Sequence, residues 1–149
     1  MSERKYSMTI RIKYHNPNIA HAEQVEGSDW IDLRAAETVE LKPFEYKVIS
    51  LGVSMSLPTG YEAHLAPRSS TYEKFGIIQS NSIGVIDNTF RGDDDVWGFP
   101  AIALRHTVIH EGDRICQFRI MKKMERVKLK PVESMNNKSR GGFGSTGTN

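Results

Sequence analysis

Apolar residues in this chain alternate with polar ones in short runs, and a turn signal cuts nearly every run. Met8, Ile10, Ile12 and Tyr14 alternate with Thr9, Arg11, Lys13 and His15 until Asn16-Pro17. The clearest run goes from Tyr46 to Leu57, with Ile49, Leu51, Val53, Met55 and Leu57 on one face, and Pro58-Thr59-Gly60 ends it. Trp30 to Leu33, Val39 with Leu41, and Tyr61 to Leu65 are further short apolar stretches. Val96 to Leu104, His106 to Ile109 and Arg114 to Met121 repeat the pattern, and Val127 with Leu129 predicts a last strand before Pro131. Period-two alternation puts every second side chain on one face of a strand. Short strands punctuated in this way predict an all-β sandwich or barrel.

The stretch Pro67-Arg68-Ser69-Ser70-Thr71-Tyr72-Glu73-Lys74-Phe75-Gly76 departs from the pattern. A Ser able to cap, a few helix-compatible residues and a terminal Gly predict one or two helical turns. Two readings of its start stand side by side: simple capping, or an anion site where free backbone N–H groups and Arg68 converge.

The length of 149 residues suits one domain with a real core. A net charge of +2 is too small for bulk nucleic-acid binding, and no apolar run approaches membrane-spanning length. The local balance is less even: residues 122–140 hold seven Lys or Arg against Glu125 and Glu133, read mainly as a solvated face, while Asp93-Asp94-Asp95 form an acidic knot. Cys116 has no partner for an intramolecular disulfide and alternates with Phe118 and Ile120, which marks it as a small core residue. An N-terminus without a signal-peptide core completes the expectation of a cytoplasmic protein.

Asn81 to Asp93 is the stretch with the most chemistry. Asp87 ends the apolar run Ile83 to Ile86 just before a turn, so a strand would hold a carboxylate rigidly at the mouth of a hairpin, where a general base belongs. Phe90 adds an aromatic face, and Arg91-Gly92-Asp93 turns the chain back. An Asp in a turn also bonds its own backbone as a matter of course, which is the structural alternative. The last ten residues, Arg140-Gly141-Gly142-Phe143-Gly144-Ser145-Thr146-Gly147-Thr148-Asn149, are too glycine-rich to hold a shape alone. They nonetheless combine close backbone approach, hydroxyl donors, a guanidinium and a stacking ring, a set suited to phosphates.

Taken together these pieces resemble the homotrimeric all-β deoxyuridine triphosphatase (dUTPase) family in its bacterial or phage form, from about Asp29 to the C-terminus. Asp32-Leu33-Arg34-Ala35 is similar to the first of five family motifs and Pro67-Arg68-Ser69-Ser70 to the second. Gly84-Val85-Ile86-Asp87 through Arg91-Gly92 resembles the third, Gly112-Asp113-Arg114-Ile115-Cys116-Gln117 the fourth, and Arg140 to Gly147 the fifth. Three departures stand out: Phe90 where many relatives have Tyr, Ser70 where Gly is usual, and Trp30-Ile31 where Gly-Tyr is common.

The resemblance implies a distorted jelly roll, or β-clip, over residues 1–139, one short helix after the second motif, and a flexible arm over 140–149 that closes on a neighbouring subunit's site. It implies a homotrimer with shared active sites that hydrolyses dUTP to dUMP and pyrophosphate, keeping uracil out of DNA and supplying dUMP for thymidylate synthesis. Asp87 is then the base, and Mg²⁺ the cofactor, chelated mainly by the phosphates, with Asp32 orienting water around it or holding the fold. Arg68, Ser69, Ser70, Gln117, Arg140, Gly142, Ser145 and Thr146 are assigned to phosphate contacts. Asn81 and the backbone near Gly84 and Ile86 would read uracil, Phe90 would lie on the deoxyribose, and Phe143 would stack on the base, with Trp97 the rival for that ring.

Two alternatives differ in kind. A dCTP deaminase, or a bifunctional deaminase and triphosphatase, needs a carboxylate beside the ring on the strand after the hairpin, and Val96 to Leu104 contains none. A dUTP-binding regulatory protein would keep the nucleotide site and signal to a protein partner whose identity the residues do not indicate.

Overall fold

The structure is a computed structural model and describes residues 6–142. Eleven strands and one short helix follow one another among these residues: β1 (Arg11–Tyr14), β2 (Ile31–Arg34), β3 (Val39–Leu41), β4 (Tyr46–Ser50), β5 (Val53–Ser56), β6 (Tyr61–Pro67), α1 (Thr71–Phe75), β7 (Ile77–Gln79), β8 (Gly84–Ile86), β9 (Gly98–Ala103), β10 (Thr107–Ile109) and β11 (Arg114–Lys122). They form a four-stranded sheet β2-β11-β6-β8, a three-stranded sheet β4-β9-β7, and the pairs β1-β5 and β3-β10, with antiparallel ladders throughout. The all-β architecture expected from the strand spacing is present, in the jelly-roll form that the family resemblance implies. No helix among the described residues is long and apolar enough to cross a membrane.

The alternating residues supply the core. Leu33, Ile49, Leu51, Leu57, Leu65, Phe99, Ile109, Ile115 and Cys116 are all buried, and Trp97 meets Phe118 edge to face with centroids 5.2 Å apart. Each such large side chain contributes about 1.5–3 kcal/mol by leaving water. Trp97 is 1% exposed. Its ring belongs to the core and offers no free face for stacking on a base.

Four expectations change on the backbone. The run from Tyr46 to Leu57 divides into β4 and β5, because Gly52 adopts φ +65° and redirects the chain from the β9 ladder to the β1 ladder. The redirected backbone is anchored on both sides, with Leu51 N donating to Trp97 O at 2.9 Å and His15 N to Gly52 O at 2.8 Å. Val127 and Leu129 form no strand: they find no ladder partner among the described residues and are exposed. A strand needs such a partner for its peptide groups. Ser70 occupies the N-cap position of α1 without a side-chain cap bond; Thr71 Oγ1 instead accepts from Arg68 N and donates to Ile115 O, both at 2.8 Å. At the other end Gly76 closes the helix at φ 62°, as its position predicted. The fourth change concerns the Asp87 segment and is taken up with the site.

Gly52→Ala tests the redirecting corner. An added Cβ would lie 2.6 Å from Ala36 Cβ, and the backbone is already in the left-handed region. Steric overlap and left-handed strain together should cost about 3 kcal/mol. Urea unfolding should show a lower midpoint with the slope retained; a loss under about 1 kcal/mol would remove the corner's importance.

Candidate active site

β8 holds the Gly84-Val85-Ile86 run against β6, with Gly84 opposite Leu65 and Ile86 opposite Ala63. The expected hairpin is not formed: the ladder partner of β8 is β6, which precedes it in the chain, and β9 pairs with β4 and β7 instead. The reason is local. Straight after β8 the chain closes an Asx turn, with Thr89 N donating to Asp87 Oδ1 at 2.9 Å and Phe90 N to Asp87 O at 3.0 Å. A second tight turn follows, with Gly92 N on Asp95 Oδ2 at 2.8 Å. These turns spend the N–H groups that a returning strand would have used. Asp87 still stands at the strand end, as predicted, with its carboxylate at the surface.

That carboxylate is held below the ordinary carboxylate range, first by the Thr89 backbone N–H and next by Lys123, whose Nζ donates to Asp87 Oδ2 at 3.2 Å. Lys123 Nζ also donates to Asn88 Oδ1 at 2.7 Å. Sequence reasoning placed Lys123 in a solvated basic run; it lies 36 positions from Asp87 and only the β11–β6–β8 ladders bring it there. A base works while deprotonated, so a lowered pKa puts the acid limb of the rate at low pH. Lys123→Met removes one lowering influence, and the limb of the kcat/KM profile should move to higher pH. A limb that stays in place would show that Thr89 alone sets it.

Asn81, Gly84, Ile86, Asp87 and Phe90 line one cleft of about 640 Å³ together with Leu65, Val48 and Pro100. Phe90 is 41% exposed, so its ring is available to a ligand. Gly84 is buried, and a Cβ there would sit 3.2 Å from Leu65 Cβ and 3.3 Å from Gln79 Nε2. The glycine therefore lets β8 pack closely on Leu65 and Gln79.

The residues expected on phosphate gather elsewhere. Arg68 Nε lies 3.3 Å from Asp32 Oδ1, and Arg114 reaches Asp32 Oδ2 at 3.6 Å. Gln117 faces Asp32 across the β2–β11 ladder and donates from Nε2 to Pro67 O at 3.1 Å. Ser69 is exposed and Ser70 half-buried beside them. Arg140 and Gly142 lie in the extended C-terminal segment, and Phe143, Ser145 and Thr146 fall outside the described residues. Along β6 the Asp87 end and the Arg68 end are some six residues apart, about 20 Å at the rise of a strand. One chain thus holds, apart from each other, a cleft with a carboxylate and a cationic corner with hydrogen-bond donors.

Cys116 is fully buried, and burial first, then the Asp32 charge, pushes its thiol pKa well up while Arg68 opposes them. It is an inert core residue, as its alternation predicted. Among the described residues no three His, Cys, Asp or Glu side chains cluster in a metal cage.

Comparison with known proteins shows the family of the chain. A family model described as dUTPase matches residues 18–147. The chain is 59% identical to the SPbeta prophage-derived deoxyuridine 5'-triphosphate nucleotidohydrolase of Bacillus subtilis (strain 168), over 95% of this chain and 99% of that protein. Its fold is similar to that of a mutant dUTPase of phage 80alpha, with TM-score 0.75 and 24% identity over 95% of this chain and 100% of the other. A mutant dUTPase of phage phi11 of S. aureus, described with a coordinated structural Mg(II) ion, matches with TM-score 0.70 and 24% identity over 86% of this chain and 99% of its own. With a family model spanning nearly the whole chain and a relative 59% identical from end to end, this protein belongs to the dUTPase family.

Proposed function

We propose that this protein hydrolyses dUTP to dUMP and pyrophosphate, with Asp87 as general base. The observation that carries the reading is the common cleft of Asp87 with Asn81, Gly84, Ile86 and Phe90. It joins a carboxylate that is ionised at neutral pH to a flat pocket with an aromatic side. Water attacks the α-phosphorus and gives its proton to Asp87, while the bond to the bridging oxygen breaks and pyrophosphate leaves. Charge developing on the phosphates is met by Arg68, Ser69, Ser70 and Gln117.

The distance between the cleft and the cationic corner supports a shared site: with the α-phosphorus at Asp87, the other phosphates fall short of Arg68 of the same chain, about 20 Å along the sheet. A homotrimer with each site at a subunit interface resolves this, with the cleft from one chain and the cationic corner from the next. Residues 1–139 then form the body and 140–149 the arm, which brings Arg140, Gly142, Phe143, Ser145 and Thr146 over bound nucleotide, Phe143 stacking on uracil. The burial of Trp97 supports that choice of ring.

Mg²⁺ fits this donor set. It keeps much of its water and takes phosphate oxygens with one or two carboxylates, so the triphosphate would supply most of its ligands and Asp32, part-exposed beside Arg68 and Arg114, would hold it through water. When bound, it neutralises phosphate charge; the chain's own residues supply the base and the positioning. We place the enzyme in the cytoplasm, in keeping with its single thiol. Pyrophosphate release with Mg²⁺ from dUTP, dCTP, dTTP and UTP tests the reading. Turnover of dUTP alone is expected. Ammonia from dCTP would replace the reading with a deaminase, a class for which β9, Gly-Phe-Pro-Ala-Ile-Ala, offers no carboxylate. Tight dUTP binding without turnover would make the chain a nucleotide-sensing regulator.

A further inference from the structure

Gln79 ends β7 immediately before the Asn81 loop and is 5% exposed. Its Nε2 donates twice, to Leu65 O at 3.0 Å and to Asn81 Oδ1 at 2.9 Å. The first bond fixes which end of the Gln79 amide faces this corner, because a backbone carbonyl only accepts. The second then fixes Asn81: with Oδ1 turned to Gln79, the planar amide directs Nδ2 away from it, and Asn81 lines the cleft. Gln79 Oε1 has no partner among the described residues although it is buried. A buried oxygen without a partner opposes folding, because it has given up its bond to water. An apolar side chain of the same size would avoid that cost, so the amide is poorly explained as core packing.

We infer that Gln79 is a specificity-determining positioning residue: it locks the Asn81 amide with its N–H side toward the base, so that the pocket accepts a 4-carbonyl pyrimidine and rejects a 4-amino one. The inference rests on the assignment of Asn81 to uracil. Uracil O4 accepts from Asn81 Nδ2. Cytosine presents an amino donor at the same place, so two donors would meet and both would lose a partner. Without an anchor, the Asn81 amide turns over at little cost and presents Oδ1 to cytosine instead. Gly84 belongs to the same device, since a Cβ there would crowd Gln79 Nε2 at 3.3 Å, while Asn81 Nδ2 lies in ordinary contact at 3.6 Å.

The decisive variant is Gln79→Glu. In this buried corner the acid is held neutral, and its one proton is spent on Leu65 O. The same oxygen then has only lone pairs left for Asn81, whose amide must turn Nδ2 inward and Oδ1 toward the base. The ratio of kcat/KM for dUTP over dCTP, both read as pyrophosphate release, should fall by about 10²-fold or more. Gln79→Met, which is apolar and of similar volume, should lower the ratio by about 10-fold without inverting the preference, because it removes the lock but imposes no opposite one. General loosening of the fold would lower both substrates together and leave the ratio unchanged.

Asn81→Ala in parallel separates the two levels of the argument. If it abolishes discrimination while folded Gln79→Glu and Gln79→Met keep the wild-type ratio, the positioning role fails and Asn81 stands as the reader. If Asn81→Ala also keeps the ratio, the Asn81 assignment fails and the inference with it. Should Gln79→Glu not fold, the Gln79→Met ratio decides alone, an unchanged value overturning the inference.

Discussion

Asp87→Asn should lower kcat for dUTP by about 10³-fold and leave KM within a few-fold of wild type. The substitution keeps the oxygen that accepts from Thr89 N, so the Asx turn that aims the side chain survives. It removes the lone pair that takes the proton of the attacking water. The nitrogen that replaces Oδ2 faces Lys123 Nζ, which now loses an acceptor but keeps Asn88 Oδ1 at 2.7 Å. The side chain is largely solvated, so stability should hardly change. Steady-state kinetics with a binding measurement on a non-hydrolysable dUTP analogue separate the two effects. A variant that retains more than a tenth of the wild-type kcat would take the base role from Asp87.

Arg68→Ala should reduce kcat/KM by about 10²–10³-fold through lost stabilisation of phosphate charge. Arg68 is held by a charge-assisted contact with Asp32 at 3.3 Å, and among the described residues Arg114, at 3.6 Å, is the ion-pair partner left to Asp32 once Arg68 is gone. Lysine should rescue poorly, since it lacks the planar fork that grips two oxygens. Values within threefold of wild type would exclude Arg68 from the site. The same variant tests the shared site. Mixed and co-refolded with Asp87→Asn chains, it should regain roughly a quarter of wild-type activity, because that fraction of interfaces pairs an intact cleft with an intact cationic corner. If both residues served one chain's own site, no mixture of the two inactive variants would recover anything.

Both variants concern residues that can be picked out from the sequence, and the reason is instructive. Asp87 lies at the end of an apolar run beside a turn, and local chain chemistry alone puts such a residue on a strand end. The strand periodicity, the short helix with its Gly76 cap and the buried Cys116 are of the same kind, because each depends on near neighbours in the chain. The arm residues Arg140 to Thr146 are legible only as a composition suited to phosphate.

Other features were beyond the reach of pattern. The Tyr46 to Leu57 run reads as one strand, yet a positive φ at Gly52 splits it, and what requires the corner is Ala36, far off in sequence but packed against it. The hairpin after Asp87 was read from its turn residues, but the ladder went to β6. Lys123 and Gln79 carry no local signal; one looks like a solvated lysine and the other like any polar strand residue. The ladders that join β11, β6 and β8 bring Lys123 to Asp87, whereas Gln79 sits on β7, paired with β9, and reaches Leu65 and Asn81 through its side-chain amide.

The class of fold, the family and the chemical groups available are already legible in the chain, because alternation, turn residues and motif order are written in one dimension. Which of those groups meet follows from folding in three. Strand pairing seats Lys123 on Asp87, packing seats Gln79 on Asn81, and the β6 ladder sets Arg68 about 20 Å along the sheet from Asp87, since neighbours are chosen by long-range burial and register rather than by closeness in sequence.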